Sequence, residues 1–314
     1  MPEGRPRITD GGIETHLIFN MGEELPLFSA FVLNESERGR AQVRRYYRDY
    51  LPVAKAAGTE FVFAADTWRA SPDWAAQVGY SRDALRSSNR VGIELCREMQ
   101  DEFAGSGVDG IVAGVIGPRR DAWVHDAAMS IGEAESYHAL QIETFASAGA
   151  DEVHVLTLTN TPEAIGIAKL AGAAGLPAIL SFTVETDGRL PGGKPLGTAI
   201  QEVDDAIGGS VAYFMINCAH PSHFRTLLER ADPWVGRIGG LRANASVKSH
   251  AELDASPAID IGDIGGLADE HRTLLPALSN LQLIGGCCGT DHRHIAAICD
   301  ACLSATPAPP ATPR

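Results

Sequence analysis

The stretch LQLIGGCCGT, residues 281–290, runs from apolar residues into two glycines and two adjacent cysteines. A near-continuous apolar run of this length suits a strand buried on both faces, as in a parallel sheet. Seven further strand-like runs precede it, at 7–12, 59–68, 110–118, 151–159, 177–184, 212–219 and 237–245. Segments with helical spacing follow them, at 35–57, 81–104, 131–148, 161–174, 198–207, 222–231, 265–279 and 291–303. Asn34 and Ser81 stand where N-caps are expected, and Gly58, Gly149 and Gly175 where helices stop. Eight strand–helix repeats without a break in composition predict one α/β unit, a single (β/α)8 TIM barrel over residues 1–303. A doubly wound open sheet is the competing arrangement. It would often carry a glycine-rich nucleotide fingerprint after its first strand, but DGGIETHL at 10–17 is not G-x-G-x-x-G, and no Walker A pattern occurs.

The remaining composition narrows the function. A net charge of −14 argues against nucleic acid or an anionic membrane as the main partner, since both need a basic face. No apolar stretch approaches a membrane span, and the N-terminus lacks a signal core, so a cytoplasmic protein is expected. Six cysteines, sparse and mostly late, do not form a disulfide framework. The Pro/Ala/Thr-rich tail SATPAPPATPR at 304–314 is expected to be disordered. The oligomeric state stays open, a homo-oligomer being compatible with the sequence.

A TIM barrel carries its active site at the C-terminal ends of its strands. Cys287 and Cys288 end strand eight, Cys218 ends strand six in MINCAHP (215–221), and Asp10 ends strand one. Three cysteines therefore arrive at one mouth. Three protein ligands and one open position form the pattern of catalytic zinc, and thiolates select soft metals. Such a site is a poor Lewis acid for water. It suits taking a substrate thiol as the fourth thiolate, lowering its pKa while leaving it nucleophilic. A zinc hydrolase or lyase, or a non-catalytic metal-binding barrel, are the alternatives. CDAC at 299–302 has metal-like spacing but lies in an amphipathic helix, where packing is the better reading.

The motifs DGGIETHL (10–17), ADTWRASPDW (65–74), VAGVIGP (112–118), MINCAHP (215–221) and GGCCGT (285–290) occur in an order that resembles the zinc-dependent homocysteine S-methyltransferases. That family includes betaine-, S-methylmethionine- and cobalamin-dependent members. The resemblance implies that Cys218, Cys287 and Cys288 ligate zinc and that the acceptor is homocysteine or a close thiol relative. It also implies that Asp10 and Gly11 hold the acceptor's amino acid part. Asn217, before a ligand, and Asn244, at the end of strand seven, are further candidates at the substrate site, with a structural role open for each. Trp68 could face a cationic methyl donor by cation–π attraction, and Arg69 could pair a substrate carboxylate.

One departure stands out. After strand four the family usually reads a glutamate–threonine pair, and that glutamate contacts the amino acid amine. Here HVLTLTNTPEA (154–164) places Thr157 near that position. Either Glu185, in SFTVETDG (181–188), replaces that glutamate, or the thiol acceptor is not homocysteine itself. Among methyl donors, S-methylmethionine or S-adenosylmethionine is favoured, because no folate or cobalamin domain is appended. A betaine-type or corrinoid donor is the alternative.

Overall fold

The computed structural model describes residues 5–122, 129–256 and 258–303. The expected tail at 304–314 lies outside the described residues. Eight parallel strands close into a barrel in the order β1-β2-β3-β4-β5-β6-β7-β8. They are β1 (Arg7–Thr9), β2 (Phe61–Ala64), β3 (Gly110–Ile116), β4 (Glu152–Leu158), β5 (Ala178–Phe182), β6 (Tyr213–Asn217), β7 (Ile238–Ala243) and β8 (Leu283–Gly286). Each falls inside its predicted run. Alternation sends Val62, Val115, Leu156, Ile179, Met215 and Leu283 into one cluster. A larger apolar layer, including Ile8, Phe63, Val112, Leu180 and Ile284, packs with residues of the helices. The strands read as near-continuous apolar runs because both of their faces are buried.

Helix ends largely follow their local chemistry. Ser81 and Ser130 accept hydrogen bonds from Ala84 N and Glu133 N, and Gly58 and Gly149 close helices in the left-handed region. The predicted helix 35–57 is divided into Glu37–Arg48 and Leu51–Ala57. Pro52 lies in the first turn of the second piece, where its missing N–H costs nothing. Asn34 is not the cap; Ser36 is, accepting from Gly39 N, while Asn34 Nδ2 donates to Asp66 Oδ1 at 3.0 Å.

A short helix that the sequence reading missed, Ile13–Phe19, follows β1 directly. Its N-cap is Gly12, and Glu14 lies in its first turn, where a carboxylate complements the helix dipole. Another, His250–Asp254, follows β7. Both contribute residues to the barrel mouth.

Candidate active site

The backbone ladders of β6 and β8 run one residue past the strands. Cys218 N donates to Arg242 O at 3.0 Å, and Cys287 N donates to Ala243 O at 2.8 Å. This extension brings Cys218, Cys287 and Cys288 to one point, with their three sulfurs within 4.8 Å of one another. Gly286 is required here, because a Cβ would lie 2.0 Å from Thr290 Oγ1. Gly289 turns the chain away at φ +78.

The sulfurs of Cys218 and Cys288 are 3.6 Å apart. A tetrahedral centre with metal–sulfur bonds near 2.3 Å needs sulfurs about 3.8 Å apart, so the donor set fits zinc. Hydrogen bonds from Cys218 and Cys288 hold the Cys287 thiol well below the ordinary thiol range, with Arg242 adding to the effect. The thiol of Cys218 is pushed up in return, chiefly by its bonds to the other two cysteines. A resident metal would have to displace those protons, so its affinity rises with pH.

Neighbours hold the ligand backbone in place. Cys218 itself adopts φ 56, an uncommon conformation for a non-glycine residue. Its carbonyl accepts from Asn244 Nδ2 at 3.1 Å and meets His250 Nε2 at 2.6 Å. Asn217 Oδ1 accepts from Thr157 N and Ser181 Oγ, at 2.8 and 2.7 Å, while its Nδ2 lies 3.8 Å from Cys287 Sγ. Asn217 thereby ties β4 and β5 to a candidate ligand.

Above the thiols opens a cavity of about 380 Å³. Asp10, Gly11, Trp68, Arg69, Asn217 and Asn244 all line it. Thr157 lines it too, because the β4 register shifts between Val155 and Leu158 and Thr157 takes φ 57. A bulge of this kind re-aims a side chain at the strand end. Thr157 Oγ1 accepts a 2.9 Å bond from Trp68 Nε1, so its hydroxyl pins the tryptophan.

Asp10 is only 1% exposed. Its Oδ1 accepts from Arg242 Nη2 at 2.6 Å and from Thr9 Oγ1 at 2.9 Å, and its Oδ2 accepts from Tyr46 at 2.9 Å. Burial pushes its carboxyl above the usual range, against the pull of Arg242, Thr9 and Tyr46. Arg242 was missed in the sequence, although an arginine inside the strand-like run 237–245, RIGGLRANA, was the available signal. Besides Asp10 it donates from Nε to Gly286 O at 3.0 Å, next to the first strand-eight cysteine.

Two expected substrate contacts take other partners. Glu185 is not among the cavity-lining residues; its Oε1 lies 3.3 Å from His250 Nδ1, on the outer side of the ring that meets Cys218 O. The sequence reading placed it correctly after β5 but could not see the intervening histidine. Arg69 directs Nη2 to Asp121 at 3.0 Å and Nη1 to Leu27 O. Its guanidinium lies 3.9 Å from the Trp74 ring centre and 5.0 Å from that of Trp68. The cation that Trp68 meets is therefore Arg69.

A homocysteine S-methyltransferase family model matches residues 7–302, nearly the whole chain. The chain belongs to the homocysteine S-methyltransferase family. This S-methyltransferase is 24% identical over 320 residues to homocysteine S-methyltransferase 4 of Zea mays, covering 93% of the chain and 87% of that relative. Among solved structures it is similar to the homocysteine methyltransferase MmuM from Escherichia coli. The metallated form matches with TM-score 0.70 at 23% identity, covering 94% of this chain and 96% of that one. The oxidized form matches with TM-score 0.73 at 24% identity over the same shares. At this identity the likeness concerns the fold.

The enzyme's other sequence candidates are structural. Cys299 and Cys302 belong to the apolar core, and His294 is fully buried between Asp291 and Ile261 O. His220 caps a helix by accepting from Ser222 N. No helix among the described residues is long and apolar enough to cross a membrane.

Proposed function

We propose that the enzyme transfers a methyl group from a sulfonium donor, S-methylmethionine or S-adenosylmethionine, to the thiol of homocysteine held at a zinc site of Cys218, Cys287 and Cys288. The observation that carries this reading is the convergence of three thiols, with no fourth cysteine among the described residues, beneath a cavity of about 380 Å³. Zinc, when bound, would accept the acceptor's sulfur as a fourth ligand and keep it nucleophilic at neutral pH.

The protein's own residues supply alignment. Asn244 and His250 hold the Cys218 carbonyl, and Asn217 braces Cys287, so the ligand positions are set before substrate arrives. Attack of sulfur on the methyl carbon breaks the carbon–sulfonium bond. The electron pair leaves with the donor sulfur, giving methionine and a neutral thioether. No proton moves at the methyl group, so no general base is required there. Arg69 and Trp68 line the same cavity. The Arg69 guanidinium, already held by Asp121 and Leu27 O, shapes this part of the cavity rather than pairing a donor carboxylate. The six cysteines are free, in keeping with a reducing, cytoplasmic setting for the reaction.

The test is a donor panel with homocysteine as acceptor, read by mass spectrometry for methionine. S-methylmethionine or S-adenosylmethionine should turn over, with zinc-dependent rates. Turnover with betaine alone, or none after zinc reconstitution, overturns the donor assignment.

A further inference from the structure

We propose that Glu14 is the amine-recognition residue of this enzyme, the carboxylate that receives the ammonium group of the thiol acceptor; this rests on the reading of homocysteine as that acceptor. Homocysteine anchored through sulfur carries its ammonium group three carbons away. Desolvating that charge against the cavity wall favours an acidic partner. The question is which carboxylate of this chain is free to serve.

The obvious positions are closed. Thr157 has no charge, and its hydroxyl is engaged by Trp68. Asp10 is engaged at both oxygens, and Arg242 already neutralises it. Glu185 faces His250 outside the cavity lining. Of the other acidic cavity residues, Asp121 pairs with Arg69, Asp260 pairs with Lys248, and Asp254 is exposed at the rim.

Glu14 differs from all of these. It lines the cavity and is partly buried. Among the described residues its carboxylate meets no side-chain hydrogen-bond partner or salt bridge. Its neighbours fix its place beside the thiols. Gly12 packs so closely that a Cβ there would lie 2.6 Å from Cys287 O, and Thr15 Oγ1 accepts from Gly289 N at 3.2 Å. Glu14 stands between these two contacts, on a helix turn locked on both sides to the cysteine turn. Burial, with the nearby Cys287 and Asp10, pushes its carboxyl up to about 7 against a hydrogen bond from its own backbone N–H, and an ammonium partner would favour the charged form. Asn244 Oδ1, buried and unpartnered in the same cavity wall, offers the incoming N–H groups a second acceptor.

The test is calorimetric binding of homocysteine and of 4-mercaptobutyrate, which lacks only the amine, to the zinc-loaded enzyme and its Glu14→Gln and Glu14→Ala variants. Loss of a charge-assisted hydrogen bond should raise the homocysteine dissociation constant on the order of tenfold to a hundredfold relative to that of 4-mercaptobutyrate. Glu14→Asp should recover part of the preference. The assignment is overturned if both ligands weaken equally in both variants, or if homocysteine binding is unchanged. If the unaltered enzyme binds 4-mercaptobutyrate as tightly as homocysteine, the acceptor reading itself fails, a result separable from the failure of Glu14 alone.

Discussion

Replacing Arg242 with methionine isolates the charge pair at the centre of the barrel mouth. Arg242 is 4% exposed and its Nη2 lies 2.6 Å from Asp10 Oδ1. Methionine fills much of the same volume without the guanidinium. Asp10 would then keep only Thr9 and Tyr46 as donors, at 2.9 Å each. Breaking a buried pair by removing one partner costs about 3–5 kcal/mol. For a domain of this size that corresponds to a melting temperature lower by on the order of 10 °C.

The pH dependence follows from the sign of the Asp10 shift. Its folded-state carboxyl is already raised by burial, and removal of Arg242 raises it further. Between the unfolded and folded values the native state binds the extra proton, so stability falls as pH rises through that window. The deficit of Arg242→Met should therefore be full at pH 8 and shrink toward pH 5. Melting in reducing buffer with a chelator keeps metal release out of the measurement. Asp10→Asn combined with Arg242→Met should be more stable than Arg242→Met alone at pH 8, with a coupling of about 1–3 kcal/mol. An unchanged melting temperature in Arg242→Met, or a double variant weaker than the single one, would refute the ion-pair account.

Zinc content measured by atomic emission should be about one per chain, mostly lost in Cys218→Ala and Cys288→Ala and retained in Cys299→Ala and Cys302→Ala; retention by the first pair would place the metal elsewhere. Gly12→Ala should reduce both zinc content and stability, by about 1–3 kcal/mol, because its Cβ would meet Cys287 O at 2.6 Å; normal zinc binding and melting would contradict that packing. Trp68→Leu should weaken the sulfonium donor through loss of the Arg69–Trp68–Thr157 wall, by about 0.5–2 kcal/mol in donor binding with zinc unaffected; a donor constant that does not move removes Trp68 from the donor site. Glu185→Gln should act on homocysteine and 4-mercaptobutyrate alike, since Glu185 reaches the site only through His250; a selective loss of homocysteine would restore it as the amine contact.

The barrel and its cluster of three cysteines were legible in the sequence because both depend on position along single strands. A strand buried on two faces writes itself as an apolar run, and a residue just past that run stands at the mouth. Asp10, Cys218, Cys287 and Cys288 could therefore be placed without knowing any side-chain contact. The contacts within the mouth could not. The Asp10–Arg242 pair joins residues 232 apart and depends on how β7 and β1 flank β8. Thr157 reaches Trp68 only because β4 is bulged, and no local pattern announces a bulge there. Glu185 was separated from the cavity by a histidine from another element, and Glu14 was brought beside the thiols by a seven-residue helix too short to leave a clear period. Sequence periodicity determines which residues face a common space. Only the closed barrel decides which of them are already paired and which are left to meet a substrate.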